Sequence, residues 1–175
     1  MSISISRTQF LRGDFSGRRA SQRPPWAVPE ARFVDLCTRC NACADDCPRG
    51  LLRAGAGGYP VIDFSRGGCS FCGECVDACA QGALTRRFQG VEHTPWRLAA
   101  HVEDHCLSLH GVLCRVCGEH CGADAIRFRP ELGGRLQPLI DAQACNGCGT
   151  CYAVCPSHAL AFAERATQST SQPAS

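Results

Sequence analysis

No lysine occurs in this chain of 175 residues; all eighteen of its Lys-or-Arg positions are arginines. Every basic group is therefore a permanently charged planar fork, suited to carboxylates, and not a compact point charge. No stretch approaches the ~18 apolar residues that would span a bilayer. Residues 1–26 lack the continuous apolar segment of a secretory peptide. There is no P-loop, no dinucleotide-binding glycine motif and no evident nucleophile–base pair, so a catalytic site of the chain's own is not expected. A formal charge of +2 is too small for the whole molecule to be a polyanion binder, and no nucleic-acid partner is expected.

The missing export signal bears on what the chain has in excess, which is sixteen cysteines. Such a share usually marks a secreted disulfide scaffold, but that requires an oxidising compartment. In a reduced cytosolic setting, clustered cysteines are metal ligands. A cytoplasmic location is the expectation.

The charge is uneven. Residues 1–32 carry Arg7, Arg12, Arg18, Arg19, Arg23 and Arg32 against Asp14 and Glu30, which places +4 there and −2 on the remainder. Residues 1–30 are polar and broken by Pro24, Pro25 and Pro29, and are expected to form a mobile or loosely docked basic arm. Within it, Ser6-Arg7-Thr8-Gln9-Phe10-Leu11-Arg12 resembles a twin-arginine export motif with Thr8 in place of the second Arg. Gly13 to Arg19 then supply no hydrophobic segment, so export is not inferred. The arm is either a solvated basic tail or a partner-docking segment. Residues 166–175, rich in Ser, Thr and Gln, are expected to be a disordered tail.

The cysteines fall into four runs. The last, Cys145, Cys148, Cys151 and Cys155-Pro156, has the C-x2-C-x2-C-x3-C-P spacing of bacterial ferredoxins. The first, Cys37, Cys40, Cys43 and Cys47-Pro48, is identical in spacing. The second, Cys69, Cys72, Cys75 and Cys79, has Ala80 in place of Pro. The third, Cys106, Cys114, Cys117 and Cys121, is stretched: Leu107 to Leu113 separate its first two cysteines. Iron in a cubane takes three sulfides and one soft outer donor, which a thiolate supplies. Two-residue gaps let successive thiolates converge, and Gly73, Gly147 and Gly149 allow the backbone to curl with its N–H groups toward sulfur. Such hydrogen bonds, solvent exclusion and local charge tune potentials over roughly −700 to +450 mV.

The plan repeats. Pro25-Trp26 and Pro95-Trp96 precede Cys37 and Cys106 at nearly equal distance. Pro60-Val61-Ile62-Asp63, read as the start of a returning strand, matches Pro138-Leu139-Ile140-Asp141, and Gly82-Ala83-Leu84-Thr85, read as a short closing strand, matches His158-Ala159-Leu160-Ala161. An internal duplication of roughly 70 residues follows. Each copy reads as run, short strand, turn, short strand, run, with a helical turn at each third cysteine. The expected class is α+β, with two tandem ferredoxin-like modules at 31–92 and 93–165, each built around two [4Fe-4S] clusters. Units of ~60 residues bury little apolar surface and need staples, which the clusters would provide.

By the crossed order of two-cluster ferredoxins, Cys37, Cys40, Cys43 and Cys79 hold one cluster, and Cys69, Cys72, Cys75 and Cys47 its neighbour. In the second module the sets are Cys106, Cys114, Cys117 and Cys155, then Cys145, Cys148, Cys151 and Cys121. Pairing across modules remains the alternative. The stretched gap adds little loop-closure entropy, since each doubling costs about 0.6 kcal/mol; without Cys106 the third site would hold a three-iron or labile cluster. Structural zinc usually takes two separated cysteine pairs, which fits these runs poorly. His105 and His110 are read as surface residues, and Trp26 and Trp96 as packing residues.

Arg23-Pro24-Pro25-Trp26, the run from Cys37 to Cys47, Arg53-Ala54-Gly55-Ala56-Gly57-Gly58-Tyr59-Pro60, Cys69-Ser70-Phe71-Cys72 and Cys145-Asn146-Gly147-Cys148-Gly149 together resemble the NapF family, the ferredoxin-type proteins of the periplasmic nitrate reductase system. The likeness runs from about Ser6 to Ala163. The gap between Cys106 and Cys114 also looks like that family, which favours Cys106 as a ligand. The resemblance implies several four-iron clusters and a cytoplasmic role in maturing the catalytic subunit of periplasmic nitrate reductase before its export, by electron supply or cluster assembly. The alternative is a general electron carrier or an electron-transfer subunit of a larger oxidoreductase.

Overall fold

The regular elements are short, because cysteine runs interrupt the chain, three of the four with tight left-handed turns. The computed structural model describes residues 22–165. The longest helix among the described residues is α1, Glu30–Leu36. Single helical turns follow at α2 (Ala42–Asp45), α3 (Glu74–Asp77), α4 (Val116–Glu119) and α5 (Thr150–Ala153), and each contains the third cysteine of its run.

The strands form antiparallel pairs. β1 (Leu52–Ala54) pairs with β2 (Pro60–Ile62) across the Gly-rich turn the sequence announces. A small hairpin, β3 (Arg87–Phe88) with β4 (Val91–Glu92), follows and carries no sequence signal noted above. β5 (Leu98–Val102) pairs with β8 (Leu160–Glu164), and β6 (Ile126–Pro130) with β7 (Leu136–Ile140). The expected strand at Gly82–Thr85 is reduced to one bridge, Leu84 to Ala27. Its partner stretch has Pro24 and Pro25, which lack N–H donors, and Trp26 at φ 59°. Two bonds survive beside the bridge: Val28 N–H to the Ala83 carbonyl at 3.1 Å and Thr85 N–H to the Trp26 carbonyl at 2.9 Å.

The end of the expected arm is packed, not loose. Pro24, Pro25, Trp26 and Val28 are buried. Ile62 N–H donates to the Gln22 carbonyl at 2.9 Å, and Trp26 N–H to the Pro95 carbonyl at 2.6 Å. Arg23 lies over the Phe33 ring at 4.8 Å and the Tyr59 ring at 5.2 Å. It also donates twice to the Glu30 carboxylate, at 2.9 and 2.6 Å. Apolar burial of the indole and this stacked, paired guanidinium outweigh the polarity that suggested a free segment. The twin-arginine-like Ser6–Arg12 stretch, the remaining basic residues up to 21 and the 166–175 tail lie outside the described residues.

The two halves share apolar interior. The main cluster gathers Phe33, Leu51, Leu84 and Phe64 with Trp96 and Leu98 from the second half. Phe64 is 4.8 Å from the Phe162 ring and 5.8 Å from Trp96, and Phe71 is 5.7 Å from Trp96. Trp96 thus packs onto the other half, not only onto its own. Two ~60-residue units that bury little surface separately gain by sealing against each other. A smaller cluster of Ala100, Ile126, Cys151 and Leu160 serves the second half. Among the described residues no helix is long and apolar enough to cross a membrane.

Candidate metal centres

All sixteen cysteines are free thiols, and they gather in four sets of four around four cavities. Cys37, Cys40, Cys43 and Cys79 border site 1, about 660 Å³ counting its open mouth. Cys47, Cys69, Cys72 and Cys75 border site 2, about 370 Å³. Site 3, about 350 Å³, is bordered by Cys106, Cys114, Cys117 and Cys155. Site 4, about 320 Å³, is bordered by Cys121, Cys145, Cys148 and Cys151. In every set the fourth thiol comes from the other run of the same half.

The walls between the thiols are mostly apolar: Phe33 and Leu84 at site 1, Trp26 and Ile62 at site 2, Leu160 at site 3, Phe162 at site 4. The sulfurs ring a space; they do not meet at a point. Among the described residues no three Cys, His, Asp or Glu side chains come close enough to hold one metal ion. A single zinc with ~2.3 Å bonds draws its sulfurs together, whereas a multi-iron cluster needs thiols held apart around its volume. Soft donors, apolar walls and this spread all fit an iron–sulfur cluster.

The local backbone explains the convergence. In three runs the residue after the second cysteine is left-handed and starts the helical turn: Asn41 at φ 64°, Gly73 at 89° and Gly149 at 87°. The residue before that cysteine is left-handed too: Arg39, Phe71 and Gly147. At Gly147 the absence of a side chain is required as well, because a Cβ would lie 2.8 Å from Trp96 Nε1 and from the Leu98 carbonyl. The Trp96 indole instead donates to the Asn146 carbonyl at 3.1 Å. Amide N–H groups of Phe71, Leu84 and Ala159 point at the sulfurs of Cys69, Cys79 and Cys155, each at 3.4 Å.

The third run departs from this geometry. Arg115 has φ −130° where the others are left-handed. The stretched gap contains a 3-10 helix, Leu107–His110, that packs against β7. Ser108, fully enclosed, donates its hydroxyl to the Leu136 carbonyl at 2.7 Å. That anchor holds the insertion so that Cys106 reaches the rim of site 3. His105 and His110 are exposed.

Burial sets the protonation of the third cysteine in each run. It pushes the Cys43 and Cys117 thiols up to about 11 and those of Cys75 and Cys151 up to about 12, with neighbouring cysteines adding to the shift. Those neighbours include Cys79, Cys37 and Cys40 for Cys43, and Cys106, Cys155 and Cys114 for Cys117. Such thiols keep their protons at neutral pH unless a cation replaces them, so metal loading must release protons.

Two aspartates that sequence reasoning left without a role shape the approach to sites 2 and 4. Asp63 accepts from Ser65 N–H at 3.0 Å, Ser65 hydroxyl at 2.7 Å and Arg53 Nε at 3.0 Å. Asp141 accepts from Gln143 and Ala144 N–H groups at 2.8 and 3.3 Å. Each caps the turn leading from a β strand to the first cysteine of a run. Their signal was the repeated Pro-x-Ile-Asp, read only as the start of the returning strand.

Residues 36–84 match a family model described as a 4Fe-4S dicluster domain, and residues 137–160 one described as a 4Fe-4S binding domain. The third run lies outside both matches. The ferredoxin-type protein NapF of Escherichia coli (strain K12) is 42% identical over 161 residues, covering 91% of this chain and 95% of that protein. NapF of Haemophilus influenzae is 41% identical, covering 90% and 93%. The methylamine utilization ferredoxin-type protein MauM of Paracoccus denitrificans is 33% identical, covering 76% and 66%. With the cysteine runs turned inward on apolar cavities and a likeness along nearly its whole length, the chain is an iron–sulfur protein of the [4Fe-4S] kind and belongs to the NapF family of ferredoxin-type proteins.

Proposed function

We propose that the chain holds four [4Fe-4S] clusters, one in each thiol set, within two modules spanning about 31–92 and 93–165. The ligands are Cys37, Cys40, Cys43 and Cys79 at site 1, and Cys69, Cys72, Cys75 and Cys47 at site 2. Those of site 3 are Cys106, Cys114, Cys117 and Cys155; those of site 4 are Cys145, Cys148, Cys151 and Cys121. The single observation that carries this is the ring of four thiols around each apolar cavity. A bound cluster supplies one-electron storage; the chain's residues give it thiolates, N–H donors to sulfur and a wall against water. Anaerobically prepared protein should contain about four irons and four labile sulfides per thiol set. Colourless protein without iron would overturn the reading, and a loss in Cys106→Ala of one iron (a three-iron cluster) up to one set's worth (a labile cluster) would identify its site.

The protein acts in the cytoplasm on the catalytic subunit of periplasmic nitrate reductase before that subunit is exported, as a maturation factor that supplies electrons or aids cluster assembly, with no catalytic site of its own. The likeness to NapF over 91% of the chain supports this reading. A second reading, a general electron carrier or a subunit of another oxidoreductase, is favoured by the likeness to a ferredoxin-type protein named for methylamine utilization. Co-purification with the unexported reductase subunit separates them. Full-length protein should retain the subunit and a chain lacking residues 1–21 should not, since that cut spares the packed stretch from Gln22. If the intact chain never captures the subunit, the carrier reading stands.

A further inference from the structure

Within each half the sites adjoin. α2, which carries Cys43, packs on α3, which carries Cys75; α4, with Cys117, packs on α5, with Cys151. A third junction lies between the halves. Cys69 N–H donates to the Cys148 carbonyl at 2.7 Å, so the loops of sites 2 and 4 touch backbone to backbone. The Phe64–Arg66 3-10 helix packs on α5 beside that contact.

Two glycines, each next to one of the touching cysteines, make the approach possible. A Cβ on Gly68 would overlap the Thr150 hydroxyl and come within 3.0 Å of Thr150 Cα, which is backbone and cannot swing away. A Cβ on Gly149 would overlap the Phe64 ring, itself wedged between Trp96 and Phe162. The close approach is thus symmetrical: a glycine of each half receives a residue of the other.

We infer that the Gly68–Gly149 seam joins the four cysteine sites into one continuous row, in the order site 1, site 2, site 4, site 3, where separate modules would make two independent pairs. The row has two ends with different surroundings. Site 1 is the largest of the four cavities, about 660 Å³ with its mouth, and has the exposed Cys40. Site 3 ends at the stretched loop, where Val112 is 49% and Leu113 80% exposed.

The inference rests on the reading that each thiol set holds a cluster, and the two fail in different measurements. Iron and sulfide content of the full chain tests the clusters. The seam is tested by pulsed dipolar electron paramagnetic resonance on the fully loaded, chemically reduced protein. A row gives neighbouring couplings within both halves and a further one of similar strength between them; two pairs give only the couplings within halves. Gly68→Val should lose the coupling between halves and keep those within. Gly122→Val is the control, because it adds the same bulk beside Cys121 where nothing lies within 4 Å. A wild-type spectrum that is the sum of two isolated pairs overturns the inference, whether or not the variant loads iron. So does a fully loaded Gly68→Val protein whose spectrum is unchanged.

Discussion

Asp63 shows how much one side chain does at the residue scale. The Ser65 hydroxyl, and after it the Ser65 N–H and Arg53, hold its carboxylate below the ordinary range despite partial burial. A lowered folded-state value contributes stability above the ordinary carboxylate value of about 3.9 and loses it as pH falls through the folded one. Asp63→Ala should cost about 1 kcal/mol, the usual worth of such a cap, read as an earlier thermal bleaching of the loaded protein. The gap between variant and wild type should hold from pH 6 to about 4 and narrow only below that, as pH falls from the unfolded value toward the lowered folded one. A gap that widened instead would mean that the carboxylate is not the favoured form. The aspartate stood in the repeated Pro-x-Ile-Asp, but nothing in one dimension says that its oxygens meet the N–H of Ser65 and the fork of Arg53.

At the scale of elements, the stretch from Gln22 to Val28 is the instructive case. Its composition reads as an arm, yet Trp26 is 8% exposed, meets Phe71 edge-on at 6.4 Å and hydrogen-bonds through its backbone to Pro95. Trp26→Ala should destabilise the fold by about 3–5 kcal/mol, as for other buried aromatics, and should strip iron from site 2, whose wall the indole forms. Iron assay and urea unfolding of the loaded variant check both. By contrast the β1–β2 hairpin was legible, because Gly55-Ala56-Gly57-Gly58 can only turn. The reduction of the Gly82–Thr85 strand to a bridge was not, because it depends on prolines in a partner some 57 residues away.

On the whole-molecule scale, thiols form part of the interior beside the hydrocarbon side chains. Cys43, Cys75 and Cys151 count among the buried residues, and burial makes their free thiolates unfavourable. Anaerobic removal of iron with a chelator should therefore abolish tertiary order along with colour, because binding free energy and folding free energy are shared in such sites. Near-ultraviolet circular dichroism should flatten in step with iron loss. A chelated protein that kept its near-ultraviolet spectrum would show that the apolar clusters suffice alone.

What the amino-acid order determined by itself was local: the spacing of the runs, the duplicated plan, and the turn and helix that each run imposes. These depend on neighbours within a dozen residues. Only the tertiary structure decided that the two halves share one interior, that Gly68 and Gly149 bring sites 2 and 4 into contact, and that Ser108 anchors the loop bearing Cys106. Each of those requires surfaces far apart in the chain to meet, and a small module with too little to bury on its own is what drives them together.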